Sequence, residues 1–158
     1  MYKVPLSKVK LESKLSIIRE AIVELETIGR SCTEEEFVTS KEKFPTAEHY
    51  LRRALEAVFD IGGHIISRFS YSSGKRPKTM REIALALGEK GIVDKVFAEK
   101  KLAEMAGYRN RLVHFYDEVT PVELYQIITR DLNDLETFAS VVVDVVREPS
   151  RFDVAVDE

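Results

Sequence analysis

An all-α, up-and-down bundle of about four longer helices and one short one is the fold that this sequence predicts, and three observations predict it. Apolar residues recur at helical steps of three and four through most of the chain, helix-start signals precede those runs, and no segment needs to be a strand. A chain of 158 residues suits one domain and buries roughly two-thirds of the surface it exposes when unfolded. It therefore needs neither a metal nor a disulfide to hold it together. We expect that domain over residues 1–147, followed by a polar tail over 148–158 that frays.

Leu11, Leu15, Ile18, Ile22 and Leu25 alternate in steps of four and three, which predicts a first helix from about Leu6 to Arg30 with one buried stripe. Thr33 with Glu36 forms a capping-box pattern, in which hydroxyl and carboxylate each satisfy a backbone N–H, so a short helical turn follows. Pro45 and Thr46 open the second long helix, which Leu51, Leu55, Val58, Ile65 and Phe69 carry to about Phe69, antiparallel to the first. Ser70 to Pro77 has loop composition, and Thr79 with Glu82 caps a short helix near Met80 to Leu87. Gly88 and Gly91 bracket a turn before a helix from Val93 to about Phe115, with Val96, Ala103, Ala106, Asn110 and Val113 on one face. Thr120, Pro121 and Glu123 make the clearest helix start, and Tyr125, Ile128, Leu132, Leu135, Phe138, Val142 and Val145 continue that helix to about Val146.

Composition narrows the function. The formal net charge of −3 argues against a generic nucleic-acid binder, so any RNA contact must come from a local patch. A lone Cys32, without a leader-like segment or a long apolar stretch, predicts a cytoplasmic protein. His49, His64 and His114 lack metal-ligand spacing, and nothing near Cys32 would activate a thiol, so neither zinc nor cysteine catalysis is expected. Gly74-Lys75 is not a phosphate-binding loop, because Phe69 and Arg76 stand where glycine and a hydroxyl residue would be required. Asn110, Asn133 and Gln126 are the chain's whole complement of side-chain amides, against 32% charged residues; that balance leans towards a heat-adapted source.

The chemistry concentrates in Tyr108-Arg109-Asn110-Arg111-Leu112-Val113-His114-Phe115-Tyr116. A histidine titrates near neutral pH and can exchange a proton with a ribose hydroxyl, while arginine presents a planar fork to phosphoryl oxygens. On a straight helix Arg109 and Tyr116 lie about 20° apart but Arg109 and His114 about 140° apart. Either the helix ends or bends near His114, or a second subunit closes the site. The plainer alternative is a helix C-terminus whose cations favour the dipole and whose Tyr covers the core.

With Arg109, His114 and Tyr116 spaced as Arg, four residues, His, one residue, Tyr, the chain resembles the HEPN superfamily, and specifically the HepT-like toxins. The Asn after the first Arg, the Leu-Val before the His and the order of helices fit as well, so the resemblance covers most of the chain, although the motif alone is specific. It implies a dimer, or a higher homo-oligomer, that cleaves RNA without a metal or other cofactor in a cleft between two subunits. His114 would be the general acid or base and Arg109 would stabilise transition-state charge, with attack by the 2′-hydroxyl leaving a cyclic phosphate. It further implies restraint by a nucleotidyltransferase antitoxin of the MntA type, which places AMP on the motif tyrosine, here Tyr116. That adduct would set a bulky anion where RNA phosphate should lie. Two rivals stay open: a non-catalytic HEPN interaction module bound or modified by the transferase, and a nucleotide-binding HEPN protein with Arg109 as phosphate clamp.

Two further groups are candidates for supporting roles. Arg53, Glu56, Asp60 and His64 form a polar stripe on the second long helix, either simply solvated or lining the dimer cleft near His114, with Glu56 or Asp60 orienting Arg109 or the imidazole, and Asn110 within the motif is a further supporting candidate. Arg68, Lys75, Arg76, Lys78 and Arg81 occur without an intervening acid and with Tyr71 among them, which makes either a solvated loop or a surface for RNA phosphates.

Overall fold

The computed structural model describes residues 3–114 and 119–158. Helix α1 (Lys8–Ser31) starts two residues later than its periodicity suggests, because Ser7 is the cap, accepting the N–H of Lys10, while Leu6 is drawn into contact with the C-terminal segment. Helix α2 (Glu34–Thr39) carries the expected capping box between Thr33 and Glu36. Helix α3 (Lys43–Ile66) begins before Pro45 because the Ser40 hydroxyl accepts the N–H groups of Glu42 and Lys43, at 3.2 and 3.0 Å. Proline is tolerated at the third position, where no intrahelical donor is needed. The run of α3 opposite to α1 follows from two contacts. His64 in its last turn accepts the Ser7 N–H at 2.9 Å, and Asp60 meets Lys14 of α1 at 2.9 Å.

Helix α4 (Met80–Glu89) has the second capping box, Thr79 with Glu82. Gly88 lies inside α4, not in a turn: a Cβ there would sit 2.7 Å from that of Ala98, so glycine permits the close crossing. The turn falls on Gly91, whose φ of +74° suits glycine. Helix α5 (Lys95–Phe97), capped by Asp94, leads directly into a π-helical turn (Ala98–Leu102) and then α6 (Ala103–Val113). The N–H of Ala103 reaches back five residues to the carbonyl of Ala98. That wide turn re-phases the helix, so Ala98, Leu102, Met105 and Ala106 are buried whereas Val96 and Val113, expected on the core face, stand exposed.

The long C-terminal helix expected through Tyr125 and Val145 is two helices, α7 (Pro121–Arg130) and α8 (Leu132–Arg147). They meet at Asp131, which has a φ of −110° and a ψ of 1°. Both halves keep the apolar phase, so the break leaves no trace in the periodicity; Ile128, Leu132, Leu135, Phe138, Val142 and Val145 are all buried. Thr120 caps α7, with Pro121 in its first turn.

The expected frayed tail is instead packed. A short 3-10 turn (Pro149–Phe152) buries Phe152, Val154 is buried behind it, and Leu6 bridges in parallel to Val156. Leu6 donates to the carbonyl of Ala155 at 2.7 Å and accepts from Asp157 at 3.0 Å. Apolar side chains at 152, 154 and 156 offset the polar ones between them, a period too short to register as an element. Apart from this bridge, the described residues contain no extended pairing, and the architecture is an all-α bundle in which α1 packs on α3 and α8, and α3 on α6. No helix among the described residues is long and apolar enough to cross a membrane.

Candidate active site

Helix α6 ends at Val113, and His114 follows with extended backbone, φ −96° and ψ 127°, its N–H still bonded to the Asn110 carbonyl at 3.0 Å. Of the two arrangements that the Arg–His spacing left open, the helix does end at His114, but this does not bring Arg109 into the cleft that His114 lines. His114 is solvent-exposed at the mouth of a cleft of about 320 Å³ between the start of α3 and the end of α6. Phe44, Glu48 and Arg52 line it from α3, Arg111, Leu112 and Val113 from α6, and Val119 from the segment before α7.

Arg109 lies one turn back and points elsewhere. Its Nε donates to Glu56 Oε1 at 2.8 Å, and a second nitrogen reaches Asn110 Oδ1 at 3.5 Å. The Arg109 side chain is 22% exposed, so this ion pair both aims the guanidinium and keeps it from collapsing onto the surface. Glu56 is thus the acid of the stripe that bonds Arg109. Arg111 is held in a fork by both carboxylate oxygens of Glu123, at 2.7 Å each. That guanidinium, with the Thr120 N-cap nearby, holds the Glu123 carboxyl below the ordinary carboxylate range. The pair ties the end of α6 to the start of α7. Tyr116, the expected modification site, lies outside the described residues.

The remainder of the polar stripe divides. Each four-residue step along a helix rotates by about 40°, so Glu48, Arg52 and Glu56 face α6 whereas Asp60 and His64 have turned towards α1. Asp60 pairs with Lys14, and His64 accepts from Ser7, so neither supports Arg109 or His114. Arg53 is exposed. Arg52, which the sequence reading passed over, lines the histidine's cleft from α3, as Arg111 does from α6. Its signal was the step of four from Glu56, on the opposite side from the acid and imidazole chosen.

His64 has a measurable consequence. Burial, reinforced by Arg68 and Lys10 and opposed by Asp157, lowers its pKa from the ordinary value of 6.5. Accepting the Ser7 N–H requires the neutral ring. The unfolded chain then takes up its proton at higher pH than the folded one, so this contribution is complete above about pH 6.5 and declines as pH falls through the depressed value. Urea midpoints between pH 8 and pH 5 should fall more steeply for the native chain than for His64→Gln. Parallel profiles would show that the ring is unimportant there.

The basic loop sits at the far end of α3. From Glu48 to Ser67, where α3 ends, the axis rises roughly 28 Å at 1.5 Å per residue. Arg68 is committed structurally, donating from Nε to the Pro5 carbonyl at 3.1 Å and from a terminal nitrogen to the Ser67 hydroxyl at 2.9 Å. Arg76 lies 5.6 Å and Lys90 4.8 Å from the ring centre of Tyr71. Lys75, Lys78 and Arg81 are exposed. No group of three or more His, Cys, Asp or Glu among the described residues is arranged to hold a metal ion.

A family model described as Ribonuclease HepT-like matches residues 18–142, from the middle of α1 through most of α8. The chain belongs to the HepT-like family. A family relative, the tRNA nuclease HepT of Aphanizomenon flos-aquae, is 30% identical over 119 residues, covering 75% of this chain and 78% of its own. Among solved structures, the tri-AMPylated Shewanella oneidensis HEPN toxin in complex with an MNT antitoxin superposes with a TM-score of 0.69, at 22% identity, over 85% of this chain and 96% of that one. A toxin–antitoxin structure with AMP-PNP gives 0.73 at 20% identity, over 86% and 98%. These two likenesses show the fold, an all-α bundle shared with this chain. The family match also spans Glu56, Arg109 and His114, the residues around which the site is built.

Proposed function

We propose that this chain is the toxin of a toxin–antitoxin pair, a metal-independent endoribonuclease that acts as a dimer and is silenced by adenylylation of Tyr116. The observation that carries this reading is Arg109, fixed by Glu56, one turn before a helix end that frees His114 into an open cleft. The named activity of the relative supports it, as do the AMPylated toxin and MNT antitoxin in the similar structure.

Within one chain the guanidinium and the imidazole serve different surfaces, so the reading takes a second copy, related by a twofold axis, to bring both sets to one phosphodiester. One imidazole accepts the 2′-hydroxyl proton as the 2′-oxygen attacks phosphorus. The P–O5′ bond breaks, and the other copy's imidazole, in its protonated form, delivers a proton to the departing 5′-oxygen. The products are a 2′,3′-cyclic phosphate and a 5′-hydroxyl. Arg109 meets the charge that builds on the non-bridging oxygens, and its place on Glu56 limits the reorganisation needed. Lys75, Arg76, Lys78 and Arg81 would then touch a remote part of a folded RNA and not the scissile bond, given their distance along α3.

Purified protein incubated with transfer RNA in excess EDTA should release fragments ending in cyclic phosphate. Intact RNA in EDTA, with cleavage restored by magnesium or manganese, would overturn metal independence. Intact RNA under all conditions, combined with AMP on Tyr116 after co-expression with an MntA-type transferase, would identify the non-catalytic interaction module instead.

A further inference from the structure

We propose that Arg52 is a phosphate-binding residue of this cleft, seating a backbone phosphate of the RNA beside the bond that His114 acts on. The inference rests on the ribonuclease reading of the site and adds a residue outside the Arg–His–Tyr motif. It follows from how the three arginines of this region are occupied. Arg109 is paired with Glu56 and Arg111 with Glu123, so each of the two motif cations already has a carboxylate partner. Arg52 is exposed, lines the same cleft as His114, and makes no ion pair among the described residues. The cleft offers about 320 Å³, room for a phosphate and part of its nucleoside.

Its neighbour sets what Arg52 must offset. Glu48 borders the same cleft from one turn earlier on α3, without pairing with Arg52. An anion entering there meets an acid, and Arg52 is the group that overcomes the repulsion. Arginine suits the task because its planar fork can take two non-bridging oxygens, which a lysine ammonium does only as a point charge. Exposure in the unliganded protein leaves that fork available, without a buried ion pair to break first.

The test separates binding from cleavage. In a His114→Ala background, anisotropy of a fluorescent single-stranded RNA, read at several salt concentrations, reports binding without turnover. Adding Arg52→Ala should weaken binding about tenfold and lower the slope of log K against log salt by about 0.7 for one lost phosphate contact on a single strand. Arg52→Lys should keep the slope and recover part of the affinity. Arg19→Ala, an exposed cation on α1 away from the cleft, should change neither. Unchanged affinity and slope for Arg52→Ala, with an unchanged unfolding midpoint, would overturn the assignment. RNA binding that depends on Arg52 in a protein that never cleaves would leave the phosphate seat standing and remove the nuclease reading.

Discussion

Replacing His114 by alanine is expected to slow RNA cleavage by about 10²–10⁴-fold, the usual worth of a positioned proton donor or acceptor, while leaving the unfolding midpoint where it was. The two halves of that expectation have separate causes. His114 lies beyond the last turn of α6 and is exposed, so its ring supports little packing, and the bond that closes the helix uses its backbone N–H, which alanine retains. Single-turnover cleavage, with RNA binding measured in parallel, would place the loss in the chemical step. If the variant cut RNA at the native rate, the imidazole would have no part in proton transfer. The comparison is cleaner than truncating Arg109, because that change strands Glu56 and alters the α3–α6 contact as well.

The largest effect on stability should come from Phe37→Ala. Phe37 is fully buried at the short helix α2, edge-on to Phe44 with ring centres 6.3 Å apart and tilted against Tyr125 at 5.4 Å. Tyr125 in turn donates its hydroxyl to the Cys32 carbonyl at 2.8 Å, fastening α7 to the end of α1. Truncation removes a large ring from a place where three elements meet, and a cost of about 3–5 kcal/mol is typical of such cavities. For a chain of this length that amounts to a fall in midpoint of roughly 6–20 °C. Phe37→Leu should recover much of the loss. Because Phe44 also walls the histidine's cleft, the alanine variant should lose cleavage activity near its midpoint before it unfolds. Equal midpoints for native and alanine proteins in urea and on heating would show that α2 is peripheral.

The sequence is most readable where a residue's role is local. The core stripe of α1, the two capping boxes and the Thr120–Pro121 start all appear in the structure, because helical spacing and end-capping depend on neighbours a few positions away. The break at Asp131 and the π turn at Ala98–Leu102 are invisible for the complementary reason. The break at Asp131 leaves the apolar phase unaltered, and the π turn shifts it in a way that shows once Ala98, Leu102, Met105 and Ala106 are seen packed and Val96 and Val113 exposed. The site divides in the same way. Arg109 and His114 are marked by spacing, and Glu56 by its type, yet Asp60 and His64 look equally suitable until the rotation of α3 assigns them to α1. Arg52 went unnoticed because its step of four from Glu56 does not by itself set it apart from other exposed arginines on a helix; the end of α6, more than fifty residues later, gives it a partner surface.

The π turn also separates two properties that a uniform helix would couple. A segment carrying one residue beyond its repeat can be shortened by one and relax to an α-helix with everything after it held in nearly the same direction, because the wide turn spreads about the same rotation over one more residue. Such a loss within Ala98–Leu102 would leave the Arg109 guanidinium on Glu56, whereas the same loss between Ala103 and Tyr108 would swing it away by about 100° although the motif itself stayed letter-perfect. The aim of Arg109 is thus tolerant of a loss in Ala98–Leu102 and intolerant of one just beyond it, a difference that no motif search would show.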